Sequence, residues 1–116
     1  MSKYFLLAII LQGCPWSIKA QKLLLENNYN CEIQEITYEQ KDNWKEKMNT
    51  FPQIYLKKHN SKGSTLIGGF TELNNMHNVI KKSKSRNACE KELKKTFPDM
   101  KYKKLLRLIE LTLKTN

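Results

Sequence analysis

Cys14 lies in the stretch Gly13-Cys14-Pro15-Trp16-Ser17. An apolar run over 4–11 precedes it and a helical pattern over 16–26 follows, so it falls at a strand-to-helix junction. Pro15 suits the first helical position, where a missing N–H costs nothing. Cys14 is then the N-cap residue, facing unpaired backbone N–H groups and the positive end of the helix dipole. Such surroundings favour the thiolate, the nucleophilic form of cysteine. The fourth position of the pattern is Ser17, so the second thiol of a Cys-x-x-Cys pair is missing. A lone cysteine after an apolar run also fits a small buried hydrophobe. The pentapeptide alone leaves both readings open.

The chain has 116 residues, enough for one compact domain with a modest core. Its 40% hydrophobic and 28% charged residues fit a globular protein. The cysteines are Cys14, Cys31 and Cys89, an odd and sparse set that fits a reducing, cytoplasmic setting. Cys31 opens a strand and is expected to be buried and inert, whereas Cys89 has polar neighbours and is expected to be exposed. His59 and His77 are far in sequence from any cysteine, so no metal site is expected. Met1-Ser2-Lys3 and the apolar run resemble a short signal peptide. Lys3 is the only positive charge, however, and Gln12 fits a cleavage box poorly, so secretion is not expected. The run is also too short to span a membrane.

Net charge is +10 and unevenly spread. Residues 1–78 carry nine lysines against seven acids, whereas residues 79–116 carry twelve basic residues against four acids. A solvated helix surface is the expected meaning. Nucleic acid is not favoured, because Phe97 and Tyr102 are too few aromatics for a stacking platform.

The elements must hold Cys14 in place. The continuous apolar run over 4–11 reads as a strand buried on both faces. The helix over 16–26 presents Ala20, Leu23 and Leu24 on one face. Residues 31–37 alternate and read as a second strand, giving a βαβ unit with parallel pairing. A polar helix over 39–48, anchored by Trp44, is predicted next. Strands over 51–57 and 65–67 form an antiparallel hairpin, and Gly68-Gly69 leads into a helix over 71–82. The order βαβ, α, ββ, α is a thioredoxin-like arrangement: an α/β fold with a four-stranded mixed sheet flanked by helices.

Three stretches together resemble the glutaredoxin family. Gly13-Cys14-Pro15-Trp16-Ser17 is similar to its Cys-Pro-aromatic-Cys/Ser active site. Thr50-Phe51-Pro52-Gln53-Ile54-Tyr55 is similar to its Thr-Val-Pro segment, and Ile67-Gly68-Gly69-Phe70-Thr71-Glu72-Leu73 to its Gly-Gly segment. The resemblance covers residues 3–82, a glutaredoxin domain over 1–82. It implies a glutathione-dependent thiol–disulfide oxidoreductase that reduces glutathionylated proteins by a monothiol route, with glutathione as co-substrate. Cys14 would be the nucleophile, and the Ser17 hydroxyl would hydrogen-bond its thiolate. Trp16 would wall the groove. Phe51 would present its backbone to glutathione beside a cis Pro52. Gly69, Thr71 and Glu72 would meet the γ-glutamyl end.

Leu11 stands where the family usually has a basic residue, which leaves Lys47 as the replacement cation for the glycyl carboxylate. A glutathione-ligated [2Fe–2S] dimer is the alternative, disfavoured because Pro15 stands where dedicated carriers have Gly. A third reading is an interaction module whose basic tail binds an acidic partner.

Residues 83–116 have no counterpart in the minimal family fold and form a basic helical extension. A short helix over 88–95 is expected, then Asp99 as N-cap of a helix starting at Met100. Tyr102, Leu105, Leu106, Ile109 and Leu113 form its apolar stripe, widened by Leu108 and Leu111. The stripe must bury against the domain, a second copy in a homodimer, or a partner, since a free helix of this length is marginal. Packing on the core or a second copy is expected, rather than membrane contact.

Overall fold

Alternation along β1 (Tyr4–Leu11) divides the core in two. Successive strand side chains point to opposite faces, and β1 is apolar at every position. Tyr4, Leu6, Ala8 and Ile10 enter one hydrophobic cluster, while Ile9, flanked by Leu7 and Leu11, enters the other. The computed structural model describes residues 3–115; the side chains of Tyr102 and of residues 111–115 lie outside that description.

The sheet has four strands in the order β2-β1-β3-β4. β2 (Cys31–Ile36) runs parallel to β1, with Leu6 opposite Cys31 and Leu11 opposite Ile36. β3 (Gln53–Lys58) is antiparallel to β1, and β4 (Ser64–Gly68) is antiparallel to β3. This is the mixed α/β sheet the sequence predicts. β3 begins just after Pro52, which has no N–H to give to a ladder.

Four helices among the described residues contribute to the first cluster. They are α1 (Pro15–Glu26), α2 (Phe70–Lys82), α3 (Arg86–Thr96) and α4 (Tyr102–Thr115). Ala20 and Leu24, Leu73 and Met76, Cys89 and Leu93, and Leu105, Leu108 and Ile109 share one buried cluster with the even-numbered residues of β1. The extension is therefore continuous with the core of residues 3–82. Among the described residues no helix is long and apolar enough to cross a membrane.

Two expectations are corrected. Residues 39–48 are not an α-helix; a 3₁₀ helix spans Tyr38–Trp44 and irregular chain follows. The segment has no apolar stripe to bury, so packing does not drive an α-helix. Its end is set instead by the Trp44 carbonyl, which accepts from the Gln53 side chain at 2.6 Å. Asp99 does not cap α4, which starts at Tyr102, so Lys101 immediately precedes it. The expected stripe is buried at Leu105, Leu108 and Ile109. Its Tyr102, Leu111 and Leu113 positions lie outside the described side chains.

Tyr29, just after α1, ties that turn to α2. Its hydroxyl lies 2.9 Å from Nδ1 of His77. Burial, and secondarily nearby Cys89, pushes the phenol well above its ordinary value, so it stays protonated. Burial, then Lys81, holds His77 below 6.5. A depressed imidazole stabilises the fold while neutral. That contribution is full above 6.5 and is lost as pH falls through the lower folded value.

Leu105→Ala, at a fully buried position, is expected to cost about 2–5 kcal/mol in urea unfolding. A loss below about 1 kcal/mol would mean that α4 does not share the core. His77→Gln is expected to flatten the fall in melting temperature between roughly pH 7 and 5.5. An unchanged slope would show that His77 is not the titrating group.

Candidate active site

The strand-to-helix junction is built from three local features. Gly13 takes a φ of 76°, which an L side chain rarely adopts, and a Cβ there would meet nothing. The glycine therefore serves the turn itself. The Cys14 N–H donates to Leu11 at 3.1 Å, closing the turn. Cys14 is extended at the N-cap with Pro15 at the first helical position, as the sequence predicts. Its side chain makes no capping bond to the helix. Instead Sγ lies 3.7 Å from the carbonyl oxygen of Phe51 and donates to it.

Ser17 is placed differently from expectation. It is buried, and its Oγ accepts the N–H of Leu11 at 3.0 Å. That bond joins the last residue of β1 to the first turn of α1. Ser17 thus fixes the junction that carries Cys14, with its oxygen turned to the backbone rather than to the sulfur.

Across from the thiol, the Phe51–Pro52 peptide bond is cis, the configuration the resemblance implied. The Phe51 ring packs against the second cluster with Trp44, Leu7 and Leu11, which leaves its carbonyl free to face Cys14. A Cβ on Gly69 would sit 3.5 Å from the Pro52 carbonyl oxygen and 3.7 Å from the end of Met48, so these three residues share one wall. Gly68 has a φ of 141°, and a side chain there would run into Glu72. Glu72 Oε1 accepts the N–H of Gly69 at 2.7 Å and so caps the start of α2. Its carboxylate is committed to the helix end, not held out toward a ligand amine. Thr71 is exposed beside it.

Trp16 is 53% exposed, too open for a core residue. Its ring centroid is 5.8 Å from that of Phe70 at a tilted angle, and the Lys19 ammonium lies 4.6 Å from it. The structure thus gathers Cys14, Trp16, Phe51, Pro52 and Gly69, with Thr71 and Glu72 at the start of α2. It does not bring Lys47 to them. Lys47 donates to Ser64 at 3.4 Å and lies 5.7 Å from the Tyr55 ring.

Two residues were missed. Phe70 follows the two glycines and had no assigned role, although an aromatic at a helix start opposite Trp16 was a readable signal. Gln53 is fully buried, and only its polarity inside an apolar strand marked it.

The other thiols reverse their expected settings. Cys89 is buried in the first cluster, because Leu93 and Phe97 follow it on the same helical face. Cys31 is only half-buried, at the edge of the sheet. Burial raises both thiols above their ordinary value. All three cysteines are free, and the described residues contain no group of three or more side chains able to hold a metal ion. Comparison of the chain with family models, with curated proteins and with solved structures finds no match in any of the three.

Iodoacetamide on the folded protein is expected to label Cys14 first, Cys31 more slowly, and Cys89 only as fast as the protein unfolds. Native labelling of Cys89 at the Cys14 rate would contradict its burial.

Proposed function

We propose that the chain is a glutathione-dependent thiol–disulfide oxidoreductase of the glutaredoxin type, with a thioredoxin-like fold and a monothiol mechanism. The observation that carries this reading is the pairing of Cys14 Sγ at a helix N-cap with the Phe51 carbonyl, 3.7 Å away. A nucleophile and the half-buried backbone of Phe51 then share one groove. An extended cysteine-containing ligand can pair with that backbone as an added strand, its sulfur brought to Cys14.

The chemistry is thiol–disulfide exchange. The Cys14 thiolate attacks the glutathionyl sulfur of a mixed disulfide. A Cys14–glutathione disulfide forms, and the substrate leaves as a thiolate that takes up a proton. A second glutathione thiolate attacks the glutathionyl sulfur of that intermediate. Glutathione disulfide is released and the Cys14 thiolate is restored. Ser17 has no sulfur to intercept the intermediate. Trp16 and Phe70 supply an apolar wall, and the first turn of α2 offers backbone N–H groups to a carboxylate. Glutathionylated proteins are the substrate class, in a reducing compartment such as the cytoplasm.

Reduction of a glutathionylated peptide, coupled to glutathione reductase, tests the reading. Cys14→Ser is expected to lower turnover by roughly a hundredfold or more, since the nucleophile is gone. Turnover within about twofold of wild type would remove Cys14 from the reaction. Ser17→Cys is expected to divert the oxidised enzyme into an intramolecular disulfide, seen as the loss of a glutathione adduct from the intact mass. Retention of the full adduct would show that the two positions do not meet.

A further inference from the structure

Phe51 belongs to residues 45–52, a segment with no helix or strand of its own. Among the described residues, no turn or loop hydrogen bond joins the backbone of residues 46–52 to another backbone group. Something else must fix the carbonyl that faces Cys14.

A buried side chain does so. Gln53 Nε2 donates to the Trp44 carbonyl at 2.6 Å and to the Met48 carbonyl at 3.0 Å. Its Oε1 accepts the Tyr55 hydroxyl at 2.7 Å. The amide orientation follows from its partners, because turning it over would set its oxygen against two carbonyls. Tyr55 also lies beneath Lys47. Residues 44, 47 and 48 thus attach to residues 53 and 55. Those two are themselves held by β1, in the pairs Ile9 with Gln53 and Leu7 with Tyr55. With Met48 tied to Gln53, only residues 49–52 bridge them, and the Phe51 carbonyl has little freedom left.

We propose that Gln53 is the positioning residue of the Cys14 site. Its amide clamps the carbonyls of Trp44 and Met48, and so holds the Phe51 carbonyl against the thiol and Met48 against Gly69. Its effect on turnover rests on the oxidoreductase reading above. The clamp needs two donors and no charge. A carboxylate at this position repels both carbonyls, and a carboxylic acid has one proton for two acceptors.

The test compares wild type, Gln53→Glu and Gln53→Met in glutathionylated-peptide reduction and in limited trypsin digestion mapped by mass. Lys45 and Lys47 are the cleavage sites that report on the segment. In both variants KM is expected to rise roughly tenfold, because two backbone carbonyls lose their donor, with kcat within about twofold. Cleavage after Lys45 and Lys47 is expected to accelerate while sites in α1 and α4 stay protected. Gln53→Met adds no charge and decides the matter if Gln53→Glu does not fold. Wild-type KM and wild-type cleavage in Gln53→Met would overturn the proposal. Cleavage accelerated equally across the chain would also overturn it, since that marks general destabilisation. A wild-type protein that does not reduce the peptide sinks the oxidoreductase reading instead, and the cleavage pattern alone then decides the clamp.

Discussion

Burial of both faces of β1 is the constraint on which the rest of the structure depends. A strand with no polar position has to be covered twice. One cover is thick: α1 and α4 lie against β1, and α2 and α3 join them in one buried cluster with Leu6, Ala8 and Ile10. Each fully buried Leu or Ile there is worth about 1.5–3 kcal/mol. The other cover is thin, consisting of Trp44, Phe51 and Tyr55 laid over Ile9 and Ile36. Cys14 follows the end of this strand, and Phe51 belongs to the thin cover. The requirement to hide Ile9 therefore also brings the Phe51 carbonyl to the thiol.

Much of this was legible. An unbroken apolar run specifies a central strand, and Pro15 after Cys14 specifies a helix start. Both follow from backbone chemistry that acts over one or two residues. The hairpin and the parallel βαβ unit were also readable from pattern. The failures have a common cause in partners distant along the chain. Ser17 was read as a companion to the sulfur three residues before it, but its oxygen meets the N–H of Leu11. Gln53 showed only as a polar residue in a strand, because its partners are backbone carbonyls, which every residue has. The polar stretch over 39–48 reads as an α-helix anchored by Trp44, but with no buried residue along it the chain forms only a 3₁₀ helix. For Cys89 the signal was present in the spacing to Leu93 and Phe97, and its polar neighbours hid it.

Glu72 and Lys47 show how the fold can take up charge that the sequence offers to a ligand. Glu72 closes the helix end that begins after two glycines, one of them with a φ that side chains rarely adopt. Lys47 spans from its irregular segment to Ser64 and Tyr55. The first contact fixes the helix start beside the groove, and the second ties the irregular segment to the sheet. The charge on its rim comes instead from Lys19, over the exposed face of Trp16. Such a cation–aromatic contact is worth about 0.5–1 kcal/mol at an open site.

The sheet ends on one side at β2, whose outer backbone groups are unpaired by any strand among the described residues. An open edge invites a second chain to add to it. Here Glu32 and Glu35 are exposed along it, so two copies meeting edge to edge would bring like charges together. The strand that completes the parallel βαβ unit thus also carries its own guard against aggregation.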